Sequence, residues 1–417
     1  MRRRDFLKLG AASAVAGCAA PTGRVVVPRV LVIGAGFGGA TCAKYLAMWN
    51  PDVQVVLVDR AQEFISCPIS NLVLGGSRSM GDITRKFDGL KKNYGVDVLW
   101  GEAVAVDAAK KVVRFGRGSE LVYDRLVLSP GVDFTFEEIA GYEAAQPRVL
   151  HAWKAGTQTV ELRRQLEEMA DGGVYLLSVP TAPYRCPPGP YERACQVAHY
   201  FKQAKPRSKV LVLDANPDVT SKGPLFKRAW QELYPGILEY RPNSKVIAVD
   251  AAAMTVKTEF ETVKGDVLNV VPPQRAGDIA FRAGVVTTNN RWCDVDWRSM
   301  ESKAVKGIHV LGDATLSAPG MPKSGHMANS QAKVCAAAIV ELMAGREPSA
   351  SPVMNNTCYS FVSDKEAIHV ASVHQYDPGQ NTVIPVKGAG GVSSARNEME
   401  AQYGWSWARN IWADMCG

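Results

Sequence analysis

Two strand–turn–helix–strand repeats and a compositionally distinct tail predict an α/β protein with two Rossmann-like domains plus a small C-terminal α+β domain. The first repeat is RVLVIGAGFGGATCAKYL, Arg29–Leu46. Its apolar strand stops at Gly34-Ala35-Gly36-Phe37-Gly38-Gly39 and passes into a helical pattern, and Asp59 closes the next apolar run, VQVVLVD. This is G-x-G-x-x-G in its strand–helix context. Gly34 permits the tight turn, Gly36 lets backbone approach a pyrophosphate, and Gly39 lets the helix pack close to the strand. The helix N-terminus favours phosphate charge, and Asp59 is placed to accept from a ribose hydroxyl. The turn alone leaves FAD and NAD equally open.

The second repeat begins with VYLLSV, continues with a helix from Tyr191 to about Lys205, and ends with KVLVLD at Asp214. Its turn has lost the glycines and reads Pro180-Thr181-Ala182-Pro183-Tyr184-Arg185-Cys186-Pro187-Pro188-Gly189-Pro190. Prolines lack N–H donors and side chains block backbone approach, so this loop is degenerate as an NAD(P)H cradle. Cys186 stands just before a helix N-terminus, where the dipole is expected to lower a thiol pKa. Glu192 lies in the first turn of that helix. Its plainer reading is a helix-start carboxylate favoured by the dipole.

Three further segments bear on the cofactor. Ser129-Pro130-Gly131 ends an apolar strand and offers a second backbone approach at Gly131. GIHVLGDA ends a buried strand in Gly312-Asp313, where glycine allows close contact and the aspartate accepts from a polyol such as the ribityl chain of FAD. Pro322-Lys323-Ser324-Gly325 opens a helix to about Met343, and Lys323 is placed to offset charge on a reduced flavin. Convergence of the first and third segments on one extended ligand favours FAD. Cys67, in ISCPISN, is either a small buried hydrophobe or a group near the cofactor. From Ser351 the pattern changes to strands around Cys358, a Gly-rich turn at Gly388–Gly391, and a last helix bearing Trp405, Trp407 and Trp412.

The expected domains are a signal region at 1–24, a discontinuous FAD-binding domain at 29–146 and 266–348, the second Rossmann-like domain at 147–265, and a C-terminal domain at 351–417. Arg3-Arg4-Asp5-Phe6-Leu7-Lys8 followed by LGAASAVAGCAA reads as a twin-arginine export signal, hence a periplasmic protein. Val15-Ala16-Gly17-Cys18 also reads as a lipobox that would lipidate Cys18. The chain of 417 residues has a net charge of +7, of which about +4 lies outside residues 1–20 and without a Lys/Arg block, so nothing points to nucleic acid. No apolar run reaches transmembrane length. Of nine cysteines, none sits in C-x-x-C-H, so no haem is expected on this chain, and no spacing indicates zinc or another metal.

Beside these readings, the chain resembles the flavoprotein subunit of flavocytochrome c sulfide dehydrogenase, in the sulfide:quinone oxidoreductase-like branch of the glutathione-reductase-like superfamily. The resemblance rests on SCPISNLVLGG, HAWKAG, RCPPGPYERA, DVLNVVPPQRAG, PKSGHMANSQAKVCAAA, NTCYS and the W-x-x-N-I-x-A-D-M-x-G ending. It implies FAD bound through a thioether to Cys67, a redox disulfide between Cys186 and Cys358 on the flavin's face, and Glu192 as acid–base. It also implies a C-terminal domain that covers the flavin, sulfide as substrate, and a separate c-type cytochrome subunit in a heterodimer. A sulfide:quinone oxidoreductase, or a non-catalytic flavoprotein module with a structural disulfide, are the alternatives. An extra glycine before Met321-Pro322, Phe361 after Tyr359-Ser360, and the loop sequence of the last domain depart from the pattern.

Overall fold

The computed structural model describes residues 27–417. The expected export signal and Cys18 lie outside the described residues.

The first glycine turn belongs to a five-stranded parallel sheet. Its order is Ile308–Val310, Arg125–Leu128, Arg29–Ile33, Gln54–Asp59 and Asp97–Trp100. Val30, Leu31, Val32, Leu126, Val127 and Leu128 are fully buried, as the near-continuous apolar runs of a sheet covered on both faces require. The helix Phe37–Trp49 carries small residues where it packs: Ala40, Cys42 and Ala43 have no exposed surface. The helix Gly325–Met343 lies against it and closes the same core.

The second repeat forms its own parallel sheet, in the order Leu238–Arg241, Lys209–Asp214, Val174–Val179 and Val267–Val270. The expected boundary at 265/266 is corrected here. Val267–Val270 pairs with Val174–Val179, because VLNV is a four-residue, fully buried strand that completes this sheet. The helix Gly189–Ala204 follows the proline-rich loop and buries Tyr191, Ala194, Cys195, Val197, Ala198 and Phe201. A three-stranded antiparallel ribbon, Val246–Asp250, Thr255–Thr258 and Thr262–Lys264, precedes Val267–Val270 and delivers the chain to that strand of the second sheet.

The tail forms an antiparallel sheet of Val353–Phe361, Ala367–Asp377 and Thr382–Val392, followed by the helix Glu398–Cys416. The Gly-rich stretch is not a turn. Gly388, Gly390 and Gly391 lie inside the last strand with positive φ, next to a shift of register between Ser372 and His374. Glycine is required there because a Cβ on Gly390 would meet the Ala371 carbonyl oxygen at 2.4 Å. Such a bulge bends and twists the sheet. The tail enters both cores: Met354, Phe361, Ile411 and Trp412 pack into the first, Val362 and Ile368 into the second. It therefore straddles the line where the two sheets meet. Among the described residues no helix is long and apolar enough to cross a membrane.

Candidate active site

One cavity is lined by residues from the first glycine turn to the C-terminal sheet, and most of the residues singled out from sequence line it. Gly36, Gly131, Gly312 and Asp313 stand along one part, and Cys67, Cys186, Glu192 and Cys358 along the other.

The glycines divide their work as steric chemistry predicts. Gly34 has φ +97°, and a Cβ there would lie 2.3 Å from the Ser129 carbonyl oxygen. A Cβ on Gly39 would lie 1.7 Å from the carbonyl oxygen of Gly34, so helix and strand meet only without a side chain. A Cβ on Gly36 meets nothing within 4 Å, because that position faces the cavity. Asp59 does not line the cavity. Its two oxygens accept from the Ala35 N–H at 2.6 Å and the Ala61 N–H at 2.8 Å, so the carboxylate braces the turn. A carboxylate keeps further lone pairs for a hydroxyl.

At Gly312-Asp313 the chain turns through a left-handed glycine, φ +71°, whose N–H donates to Gln331 at 2.7 Å. Asp313 is half-buried, desolvation raises its pKa, and its buried Oδ1 has no hydrogen-bond partner. A buried carboxyl oxygen without a donor is costly. Hydroxyls of an extended ligand in this cavity would satisfy it. This orphaned atom and the open Gly36 backbone, lining one cavity, fit FAD. Lys323 corrects the expectation. Its ammonium turns away from the cavity and donates to the Asp313 and Thr315 carbonyls, 3.7 Å from the Trp292 ring centre. Burial lowers its pKa to about 8. The turn's own carbonyls are better placed for it than a flavin would be.

The degenerate second loop does two things. Where a nicotinamide cofactor's ribose would seek an acid, Asp214 already accepts from Tyr191 Oη at 2.7 Å, Tyr240 Oη at 3.0 Å, and the Asn216 N–H and side-chain amide. Tyr184 joins this cluster through Thr220. The tyrosines fill the space that glycines would leave open. The same loop carries Cys186 in the left-handed region, φ +59°, with its N–H donating to the Lys323 carbonyl at 2.8 Å. Gly189 makes room for the thiol: a Cβ there would stand 2.9 Å from Cys186 Sγ and 3.0 Å from the Trp153 ring.

Cys186 does not have the lowered pKa expected from the helix N-terminus. Burial, then the charges of Cys358 and Glu192, push its thiol well up, although part of its surface opens to the cavity. The cost of desolvating a thiolate here exceeds a terminal dipole's benefit. Cys358, on the strand Val353–Phe361, is also raised by burial, opposed first by the Lys222 charge; its Sγ donates to Asn356 Oδ1 at 3.4 Å. All eight described cysteines are free thiols, so Cys186 and Cys358 share the cavity unlinked. Glu192 accepts from the Phe361 N–H and from Asn71 Nδ2, both at 2.8 Å, and burial raises its pKa. Cys67 Sγ receives the Ala155 N–H at 3.4 Å.

Several side chains here give no sign of their role in the sequence. Arg193 is buried beneath the site, donating to Asn71, Asn269 and the carbonyls of His151 and Ala152, with its guanidinium 4.7 Å from the Trp153 ring centre. Trp153 and Asn71 belong to the HAWKAG and SCPISN motifs, where spacing alone assigns them nothing. Trp407, of the tryptophans in the tail, lines the cavity, whereas Trp412 is buried in the core.

Two Rossmann-like sheets, one open glycine cradle and a C-terminal sheet that lines the same cavity define an FAD-binding flavoprotein. Residues 159–272 match the family described as the central part of the sulfide dehydrogenase [flavocytochrome c] flavoprotein chain, and 350–416 match the flavocytochrome c sulphide dehydrogenase flavin-binding family. Residues 28–170 match the pyridine nucleotide-disulphide oxidoreductase family. A sulfide dehydrogenase [flavocytochrome c] flavoprotein chain from Chlorobaculum thiosulfatiphilum is 51% identical over 45 residues, 11% of this chain and 94% of that sequence. The mitochondrial sulfide:quinone oxidoreductase of Mus musculus is 23% identical over 304 residues, 69% of this chain and 65% of the relative. The chain thus spans just under two thirds of that relative, and 66% of its Dictyostelium discoideum counterpart. Among solved structures, the sulfide:quinone oxidoreductase from Aquifex aeolicus superposes with a TM-score of 0.77 at 18% identity, covering 93% of this chain and 91% of that one. The chain belongs to the flavocytochrome c sulfide dehydrogenase flavoprotein family, within the sulfide:quinone oxidoreductase-like branch.

Proposed function

We propose that the chain is the flavoprotein subunit of a periplasmic sulfide dehydrogenase that oxidises sulfide to sulfur or polysulfide and passes electrons to a c-type cytochrome subunit. The observation that carries this reading is the meeting of Cys186, Cys358 and Glu192 in the cavity that begins at the glycine turn. The twin-arginine pattern supports export, and the family supports the cytochrome partner.

In this reading Cys186 and Cys358 form a disulfide in the resting enzyme. Hydrosulfide attacks one sulfur, a new sulfur–sulfur bond forms there, and the electron pair of the broken bond stays on the other. Glu192 is within the site, is held by Asn71 and the Phe361 N–H, and has a raised pKa, as suits a carboxyl that takes and returns a proton. Gly36 and the helix behind it would hold the phosphates of FAD, Asp313 would receive ribityl hydroxyls, and Cys67 would be the thioether anchor. FAD, when bound, takes up two electrons and releases them singly, which a haem acceptor requires. Arg193 holds Asn71 and the backbone at Ala152, and so fixes the surroundings of Cys67 and Glu192.

The acceptor is decided by anaerobic assays with sulfide as donor. Faster reduction of added cytochrome c than of a short-chain quinone supports the proposal. The reverse order favours the quinone reading, which the mouse and Aquifex relatives represent. Acid precipitation tests Cys67: yellow colour that stays with the pellet supports the thioether, and colour that washes out contradicts it.

A further inference from the structure

Lys222 comes from the second Rossmann-like unit, just ahead of the helix Gly223–Leu233, yet its side chain ends at the C-terminal sheet. Its Nζ donates to the Cys358 carbonyl at 3.1 Å and to Ser360 Oγ at 2.8 Å. It is 7% exposed, and its backbone is held in the left-handed region at φ +58°. Among the described residues it pairs with no carboxylate at ion-pair distance. Its other neighbour is the Phe226 ring, 5.8 Å away, and a buried ammonium with a carbonyl, a hydroxyl and a ring for company is expensive unless a negative charge comes near it.

Few groups can supply that charge. The titratable groups facing Lys222 are Cys358, Glu192, Cys186 and Glu400. Glu400 is committed to His369 and Ser393, at 2.9 and 2.6 Å. Glu192 is held by Asn71 and the Phe361 N–H, and burial shifts it toward its neutral form. The two sulfurs remain, and their surroundings differ. Cys358 has Lys222 as its principal nearby charge, with Asn356, Ser324 and, more weakly, Glu192 around it. Cys186 faces Glu192 and Cys358 before it faces Arg185 or Lys222.

We propose that Lys222 is the counter-charge of Cys358, a positioning residue that keeps negative charge on that sulfur, whether thiolate or persulfide, while Cys186 keeps the proton. The inference rests on the proposed sulfide reaction for its purpose. When hydrosulfide opens the disulfide, the products together hold three sulfurs, one proton and one negative charge. The charge and proton can be divided as Cys358 thiolate with Cys186 persulfide, or as Cys358 persulfide anion with Cys186 thiol. In both divisions the anion stands on the Cys358 side, beside the ammonium.

The test needs no sulfide, so its failure is separate from failure of the sulfide reaction, which flavin bleaching by sulfide reads directly. Holoprotein reduced by a phosphine without oxygen is alkylated with iodoacetamide across the pH range in which thiols ionise, and each cysteine is followed by peptide mass spectrometry. Cys358 should react with a lower pH midpoint than Cys186 in the unaltered protein, a comparison that needs no variant to fold. In Lys222→Met the Cys358 midpoint should rise by about one pH unit, a tenfold loss of thiolate at a given pH below it. A Cys186 midpoint at or below that of Cys358, or an unmoved Cys358 midpoint in Lys222→Met, would overturn the assignment.

Discussion

The turns after Arg29–Ile33 and Val174–Val179 occupy the same place in the same strand–helix–strand plan, and one is open where the other is filled. In the first, glycines let the strand, the helix and the Ser129 carbonyl crowd together while Gly36 faces an open cavity. In the second, prolines and tyrosines take that volume, Asp214 is saturated by Tyr191, Tyr240 and Asn216, and the loop is bent to aim Cys186 at the first unit's cavity. A single scaffold thus serves one site from two sides. With its own cradle filled, the second unit's loop brings Cys186 to the first unit's cavity instead.

Closing the open turn should do the most damage. Gly39→Ala places a Cβ 1.7 Å from a backbone oxygen, which no side-chain movement relieves. The purified variant should retain no flavin, read from its visible absorbance; stoichiometric flavin would remove the contrast between the two turns. A smaller change belongs to the second unit's contribution to chemistry. Glu192→Gln should keep its flavin but slow sulfide-dependent flavin reduction by about 100-fold, the usual size of a positioned proton-transfer group. An unchanged rate would return Glu192 to a purely structural part.

Smaller still is the loss from the filled site itself. Tyr191→Phe removes a hydroxyl from buried Asp214 and should cost about 1–3 kcal/mol in urea unfolding without conferring reduction by NADH. Bleaching of the flavin by NADH in the unaltered protein would show that the tyrosines do not exclude the nucleotide. Least of all is a pH dependence at the seam between the units. His151 is buried with Nδ1 accepting the Trp153 N–H at 2.9 Å, and burial lowers its pKa from 6.5 to about 3. The unfolded chain therefore binds a proton on His151 in a window where the folded one does not. Stability contributed here is present above pH 6.5 and falls as the pH drops toward about 3. Urea midpoints should decline over that window, and His151→Gln should flatten the decline.

How much of the molecule is legible in its sequence follows the same contrast. The open turn is readable because its chemistry is local: glycines at this spacing after an apolar strand serve little besides a phosphate cradle. The elements around it follow from apolar runs, and the cavity's cofactor end follows from Gly312-Asp313. What escapes depends on contacts between distant segments. Val267–Val270 is a short apolar run that pairs with either sheet equally well on paper. Gly388–Gly391 resembles a turn because a bulged strand also needs positive φ. Lys323 looks free at a helix start, yet the carbonyls of its own turn capture it. Cys186 looks activated because a helix dipole is visible in sequence and desolvation is not. Arg193 and Lys222 give no signal, since a lysine or arginine in a helix or loop is usually solvated and only the fold buries these two. The pairing of Cys186 with Cys358 comes from family resemblance, and their shared cavity is what the fold adds.

The proposed chemistry requires that the two units deliver one cysteine pair to one flavin site. Peptide mapping of the resting holoprotein, and of the same protein after anaerobic sulfide, decides it when the flavin spectrum is recorded alongside. At rest a Cys186–Cys358 cross-linked peptide is expected. After sulfide the cross-link should be lost, one of the two cysteines should be heavier by one sulfur atom, and the flavin should be bleached. Bleaching by sulfide with both cysteines unlinked and unmodified throughout would refute the shared site.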